Sequence, residues 1–173
     1  MTTQFTGGGT SSVDSLSVAG ATTLASTPSV TTPQSMVWLN GGNGWGSTNT
    51  AIRRFSTVVT NQGSDITYAD SATLGASFTI NTTGVYAISY SDNFTVSNWV
   101  GVSLNTTQPT AYATNLAAAQ LVALSYCSQG GASQNVPCQA TVYLPVGSVI
   151  RAQNGPSLTG GSNAVIFQIT RVA

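Results

Sequence analysis

From residue 36 onward, apolar residues recur at every second position in short runs that end at Gly, Asn or Pro. In one of the clearest runs, Phe78 and Ile80 alternate with polar residues before the turn-forming residues 81–84. A side-chain period of two is that of a β-strand with one buried face. About ten such runs, at the 8–12-residue spacing typical of all-β folds, predict a β-sandwich or a jelly roll.

Two segments interrupt this regular pattern. Residues 40–46 contain four Gly and two Asn and are expected to form a loop. Residues 117–124 are rich in Ala and Leu, which favour helix, but we assign them to a strand because their surroundings are β. The other predicted strands are 36–39, 52–60, 64–68, 76–80, 85–94, 99–104, 139–144, 149–153 and 164–172.

The chain is almost without charge, which excludes several classes of function. Only four Arg and four Asp are charged, 5% of the 173 residues, and Lys, Glu and His do not occur. Nucleic-acid binding needs clustered basic residues, so no nucleic-acid partner is expected. The commonest general bases and zinc ligands are missing, so we expect no enzyme activity, metal or cofactor. Weak charge repulsion instead favours self-association.

Residues 1–35 differ in composition from the rest of the chain. They carry one charge, Asp14, and too few apolar residues for a core, yet Leu16, Val18 and Leu24 keep a strand-like alternation. We interpret 1–35 as an extended anchoring arm and 36–173 as the jelly-roll domain; a flexible tail is the alternative for 1–35. The candidate anchoring residues of the arm are Phe5, Val13, Leu16, Val18 and Leu24.

The chain start lacks the positive and apolar regions of a secretory signal, and no apolar run approaches the ~20 residues of a membrane span. We therefore expect assembly in a host cytoplasm and no membrane partner.

A signature-like spacing lies in the middle of the domain. It consists of Phe78, Gly84, Tyr86, Ile88 and Tyr90. This pattern resembles the latter half of the signature of the complement globular-head family, which shares the tumour necrosis factor jelly roll, with Ile88 where that family usually has Phe. Residues 144–150, Leu-Pro-Val-Gly-Ser-Val-Ile, are similar to the family's turn into a late strand, with Ser148 in place of Asp. The resemblance implies a jelly roll that assembles as a homotrimer.

The arm followed by such a domain resembles bacteriophage fibre and capsid-decoration proteins. The resemblance implies a structural protein of the virion, a trimeric decoration (cement) or short head-fibre protein bound to the major capsid protein through its arm. The alternative is the receptor-binding tip of a tail fibre that recognises a host surface glycan. A free complement-like extracellular lectin is a third alternative, disfavoured by the missing signal.

Among the carboxylates, Asp65 and Asp70 are close enough in sequence to form an acid–base pair, but both stand in Ser- and Thr-containing turns where Asp commonly binds its own backbone. The neighbouring Arg53 and Arg54 are a weak candidate contact for an acidic partner.

The sulfur-containing and aromatic residues leave alternatives open. Cys127 and Cys138 enclose ten residues and form either a disulfide or two free buried thiols. Trp45, in the glycine-rich segment, is the candidate exposed ligand contact, whereas Trp38 is expected in the core.

Overall fold

A computed structural model describes residues 35–48, 51–104, 111–128, 134–155 and 164–173. Within these ranges it contains ten strands and two 3-10 helices. The strands are β1 (Met36–Trp45), β2 (Arg53–Gln62), β3 (Ile66–Ala69), β4 (Ser77–Ile80), β5 (Gly84–Phe94), β6 (Asn98–Leu104), β7 (Leu121–Cys127), β8 (Gln134–Leu144), β9 (Val149–Asn154) and β10 (Ile166–Arg171). The 3-10 helices, Ala113–Asn115 and Ala118–Gln120, lie between β6 and β7. Apart from Ser35, the predicted arm and all five of its candidate anchoring residues lie outside the described ranges.

The strands form two five-stranded antiparallel sheets. Sheet A has the order β2-β1-β10-β5-β8, and sheet B has the order β3-β4-β9-β6-β7. Consecutive strands often belong to different sheets, which is the connectivity of a jelly roll rather than of a meander. The predicted all-β jelly-roll sandwich is therefore confirmed.

Aromatic side chains from both sheets meet in the centre of the core. Phe78 of sheet B stacks on Phe167 of sheet A, with ring centroids 4.1 Å apart. Phe55 and Tyr90 pack against Phe167 from the side. The Phe78–Phe167 contact joins the two sheets, and aromatic pairs of this kind add about 0.5–1.5 kcal/mol beyond the area they bury.

The predicted loop at 40–46 is wrong. β1 continues to Trp45, and Gly42 and Trp45 pair with residues of β2 across an irregular register. Gly41 and Gly44 have positive φ values of 69° and 71°, which the missing Cβ permits. The glycines therefore bend the strand without ending it.

The predicted strand at 117–124 is also partly wrong. Its first half contains the 3-10 helix Ala118–Gln120, and β7 begins only at Leu121. The Ala residues thus follow their local preference for a helical turn.

β8 begins five residues earlier than predicted. Its register with β5 runs from Gly84 opposite Leu144 to Phe94 opposite Gln134 without interruption. Pro137 fits within this strand because β8 is an edge strand, where a missing N–H group need not break a ladder.

Candidate functional site

The signature residues form core, as the period-two pattern of β5 requires. Tyr86, Ile88 and Tyr90 are at most 2% exposed, and Phe78 is fully buried. At Gly84, an added Cβ would clash with the main-chain oxygen of Ala173, so this glycine allows the C-terminus to approach the start of β5. The side chains of Phe78, Tyr86, Ile88 and Tyr90 belong to the core and stabilise the fold.

A buried ion pair lies in the interior near the end of β5. Arg53 Nε lies 3.0 Å from Asp92 Oδ2, with side-chain exposures of 2% and 0%. The Tyr90 hydroxyl lies 2.8 Å from Asp92 Oδ2 and 2.7 Å from Asn154 Oδ1. Asn154 Nδ2 donates to Asp92 Oδ2 at 3.0 Å, which links β9 of sheet B to β5 of sheet A. Burial raises the pKa of the Asp92 carboxyl, and Arg53 opposes this shift.

Trp45 belongs to this buried cluster. Its ring lies 4.3 Å from the Arg53 guanidinium carbon, in a cation–π contact, and the residue is only partly exposed. Trp38, by contrast, is 36% exposed on the outside of sheet A. The expectation that Trp38 lies in the core is therefore wrong, and Trp45 is only partly exposed beside Arg53.

The candidate acidic residues are held in separate ion pairs. Arg54 Nη2 donates to Asp70 at 2.7 Å, and Arg171 Nη1 lies 3.4 Å from Asp65. The pKa of Asp65 is lowered by hydrogen bonds from Thr82 and Ser35 and by Arg171. Since Arg53 is buried and Arg54 is paired, the two arginines do not form a joint contact for an acidic partner.

Cys127 and Cys138 are separate buried thiols in the structure. Burial raises the pKa of Cys138 to about 12, and Cys127 Sγ donates to Gln134 Oε1 at 3.0 Å. A thiol with this pKa is unreactive near neutral pH. Within the described ranges, no group of three His, Cys, Asp or Glu side chains is placed to hold a metal ion. The same ranges include no helix with the length and apolar character needed to span a membrane.

The surface that stands out is the outer face of sheet A. One row across it consists of Trp38, Gln168, Ser89 and Gln139, from β1, β10, β5 and β8 in turn. The next row contains Thr170, Ala87 and Thr141. None of these seven residues is charged. Sequence reading missed this face, although the outward positions of β5, β8 and β10 were readable from their alternation with core residues.

The middle of the face is concave. Short and flexible side chains, among them Ala87, Ser89 and Thr141, line a depression of about 500 Å³. Larger apolar side chains stand around it: Trp38 is 36%, Ile166 40% and Tyr143 63% exposed. A face with a concave polar centre, an apolar rim and no charge can be covered by protein without burying an unpaired ion.

Comparisons with known proteins identify the type of fold. No family model matches the sequence, and no curated protein matches it. Murine APRIL superposes with a TM-score of 0.58 at 12% identity, covering 80% of this chain and 99% of that one. Eiger TNF from S. frugiperda superposes with a TM-score of 0.58 at 9% identity, covering 82% and 94%. The fold is therefore that of the tumour necrosis factor-like jelly rolls.

Proposed function

We propose that this chain is a structural protein of a bacteriophage virion, a homotrimeric capsid decoration or short head-fibre protein. The observation that carries the proposal is the outer face of β1, β10, β5 and β8, where the two rows of residues described above carry no charge. The domain follows a Ser- and Thr-rich sequence with few apolar residues. The assignment to a virion rests on the resemblance of this segment to phage fibre and decoration proteins. The assignment of a homotrimer rests on the resemblance of the domain to the jelly-roll family.

The outer face of sheet A is the proposed contact between the three copies. Association there removes Trp38, Ile166 and Tyr143 from water, and the hydrophobic contribution is about 25 cal/mol per Å² of apolar area. The side chains between them are amides and hydroxyls, which hydrogen-bond across an interface or through retained water. Three copies then present three arms on one particle, which multiplies the affinity of weak individual contacts.

The trimer is tested by placing a charge in the depression. Thr141 is an exposed residue that lines the depression, and Thr141→Arg brings extra positive charges into the contact of the three copies. Light scattering of the full chain should give about three times 17.6 kDa, and the variant should be monomeric. Thr114→Arg, at an exposed residue of a 3-10 helix, is the matched control and should remain trimeric. A monomeric unmodified chain would overturn the trimer.

The capsid role is tested by location and by truncation. Immunogold electron microscopy of virions should place the protein on the head surface. A variant lacking residues 2–34 should remain a folded trimer and fail to decorate capsids, because adding an extended segment to a partner is the proposed means of attachment. Full occupancy by the truncated protein would show that the domain itself is the anchor.

A receptor-binding role is favoured by one other observation. On the outside of sheet B, the rings of Trp99 and Tyr126 lie 4.5 Å apart, and Tyr126 is 48% exposed. Exposed aromatic faces next to uncharged polar residues are able to stack on neutral sugars. Binding on a glycan array that Tyr126→Ala abolishes and Tyr143→Ala leaves unchanged would favour the tail-fibre tip. No binding would favour the decoration protein.

A further inference from the structure

Three Asn residues of this chain are followed directly by Gly: Asn40, Asn43 and Asn154. An Asn-Gly pair is open to a spontaneous reaction, because Gly has no Cβ to keep its main-chain nitrogen away from the Asn side chain. That nitrogen loses its proton and attacks Cγ of the Asn, and the side-chain amide leaves as ammonia. Water then opens the succinimide ring at either carbonyl to give aspartate or isoaspartate.

The reaction needs a glycine N–H that no hydrogen bond holds and an Asn side chain that can turn toward it. A pair fixed by hydrogen bonds reacts only after the structure opens locally. The three Asn-Gly pairs should therefore react at rates set by their different surroundings in the fold.

The pair at Asn154 is held on both residues. Asn154 is fully buried, and its side-chain amide donates to Asp92 Oδ2 at 3.0 Å and accepts from the Tyr90 hydroxyl at 2.7 Å. The Gly155 N–H donates to the Trp99 oxygen at 2.8 Å. Neither requirement of the reaction is met at this pair.

The pair at Asn40 is fixed within the sheet. Asn40 lies opposite Thr57 of β2 on one side and opposite Ile166 of β10 on the other. The Gly41 N–H donates to the Val165 oxygen at 2.9 Å and also to Asn40 Oδ1 at 2.7 Å. The nitrogen that would attack is therefore engaged, and the strand keeps the main chain extended.

The pair at Asn43 lies in the irregular part of β1. The register with β2 moves from Gly42 directly to Trp45, so Asn43 and Gly44 have no partner in it. Asn43 is exposed, and no other residue of the described ranges holds its side chain by a hydrogen bond. Gly44 has a φ of 71°, and a Cβ added to it would meet no atom within 4 Å in the described part of the chain. The side chain of Asn43 therefore has room to approach the Gly44 nitrogen.

We infer that Asn43 is a site of spontaneous deamidation in the folded protein, whereas the fold protects Asn40 and Asn154. The reaction consumes water and releases ammonia, and it needs neither an enzyme nor a cofactor. The isoaspartate product adds a methylene group to the main chain, which a bulge can accommodate because its ladder is already irregular. This inference does not depend on the proposed function, since it rests only on the surroundings of the three pairs.

The product changes the charge of the domain. Each event adds a negative charge to a chain whose net charge is zero. The new carboxylate stands next to Gly44, whose main-chain oxygen accepts from Arg53 Nη1 at 3.3 Å. It remains at an exposed position, so it keeps its contact with water and is attracted by the guanidinium. The modified domain should therefore stay folded and accumulate as a more acidic form.

The test is a time course of the purified full chain at mildly alkaline pH, followed by digestion and mass spectrometry. Labelling by a protein isoaspartyl methyltransferase identifies isoaspartate. We expect Asn43 to react at least about ten times faster than Asn40 and Asn154, which must wait for local opening. Asn61 is the matched control, because it is exposed but followed by Gln, and it should stay intact.

A variant and a denatured sample separate the effect of the fold from that of the sequence. Asn43→Gln alters an exposed side chain, so it should keep the thermal midpoint and remove the acidic form from ion-exchange chromatography. In concentrated urea the three pairs should react at similar rates, because the hydrogen bonds at Gly41 and Gly155 are lost. Similar rates at the three pairs in the folded chain would overturn the inference. So would an Asn43 that stays intact in the folded chain while the denatured chain is modified there.

Discussion

The ion pair near one end of β5 is buried, whereas the ion pair near the other end is partly exposed. Near its end, Arg53 and Asp92 form an ion pair that water does not reach. Near its start, Asp65 and Arg171 form a longer pair whose side chains are 14% and 32% exposed. The chain has only eight charged residues, so placing two of them in the interior needs a physical reason.

The reason is that different interactions connect the two sheets at each end of the sandwich. At the Asp92 end, the sheets are connected by side-chain hydrogen bonds that join the buried Arg53–Asp92 pair to Tyr90 and Asn154. At the Asp65 end, main-chain bonds hold the chain segments of sheet A together, with Val85 donating to the Ala173 oxygen and Arg171 donating to the Ser35 oxygen. The Ser35 hydroxyl connects the sheets there by accepting from the main-chain N–H of Asp65. Side-chain charge should therefore matter greatly at the first end and little at the second.

The largest expected effect is at Asp92. Asp92→Asn leaves the Arg53 guanidinium buried without its counterion, and breaking a buried pair in this way costs about 3–5 kcal/mol. Urea unfolding should show this loss in the free energy of unfolding. The control, Asp70→Asn, breaks an exposed pair with Arg54 and should cost at most about 1 kcal/mol.

A double variant sharpens the comparison. Arg53→Met with Asp92→Leu removes both charges, and apolar replacement of a buried pair is often neutral. We expect the double variant to be more stable than Asp92→Asn. Equal losses for Asp92→Asn and Asp70→Asn would show that burial of the Arg53–Asp92 pair does not increase the cost of breaking it.

The next effect in size is at Tyr90. Tyr90→Phe removes a buried hydroxyl that lies within hydrogen-bond distance of Asp92 and Asn154, and unsatisfied buried partners cost about 1–3 kcal/mol. Thermal or urea unfolding measures the change. Tyr126→Phe, at a residue of sheet B that is 48% exposed, should leave stability unchanged. If both variants behaved alike, the Tyr90 hydroxyl would have no role in joining the sheets.

A smaller effect is expected at Arg171. Arg171→Gln removes the partner of Asp65 at 3.4 Å but leaves the main-chain contacts of the C-terminus in place. A partly exposed pair of this kind is worth about 0–1 kcal/mol. A loss approaching that of Asp92→Asn in urea unfolding would contradict the proposed division between the two ends.

The same contrast explains what the sequence predicts and what it does not. Alternation in β5 gives Tyr86, Ile88 and Tyr90 as one buried face, because strand periodicity is a local property. The pairing of Arg53 with Asp92 joins residues 39 positions apart, and nothing in the local pattern distinguishes Arg53 from the exposed Arg54. Trp38 was misplaced because its alternation with Val37 and Leu39 does not say which face meets the core.

The glycines at 41–46 show the same limit. Gly and Asn favour turns locally, but pairing with β2 and β10 keeps 36–45 extended. The outer face of sheet A was predictable in its residues, since they alternate with the core. The concave shape of this face was not predictable, because it depends on which short side chains become neighbours across three strands.

The smallest effect is the pH dependence of stability at the Asp65 end. The pKa of Asp65 is lowered from 3.8, chiefly by hydrogen bonds from Thr82 and Ser35, so the folded state prefers its ionised form. Its contribution is therefore present above pH 3.8 and is lost as the pH falls through the lower folded pKa. Urea midpoints measured from pH 6 to pH 2 test this sign. Asp65→Asn should be less stable than the unmodified chain at pH 6, and the difference should vanish at the acid end. If the Asp65→Asn difference instead grew on acidification, the Asp65 carboxylate would not be the form that the fold stabilises.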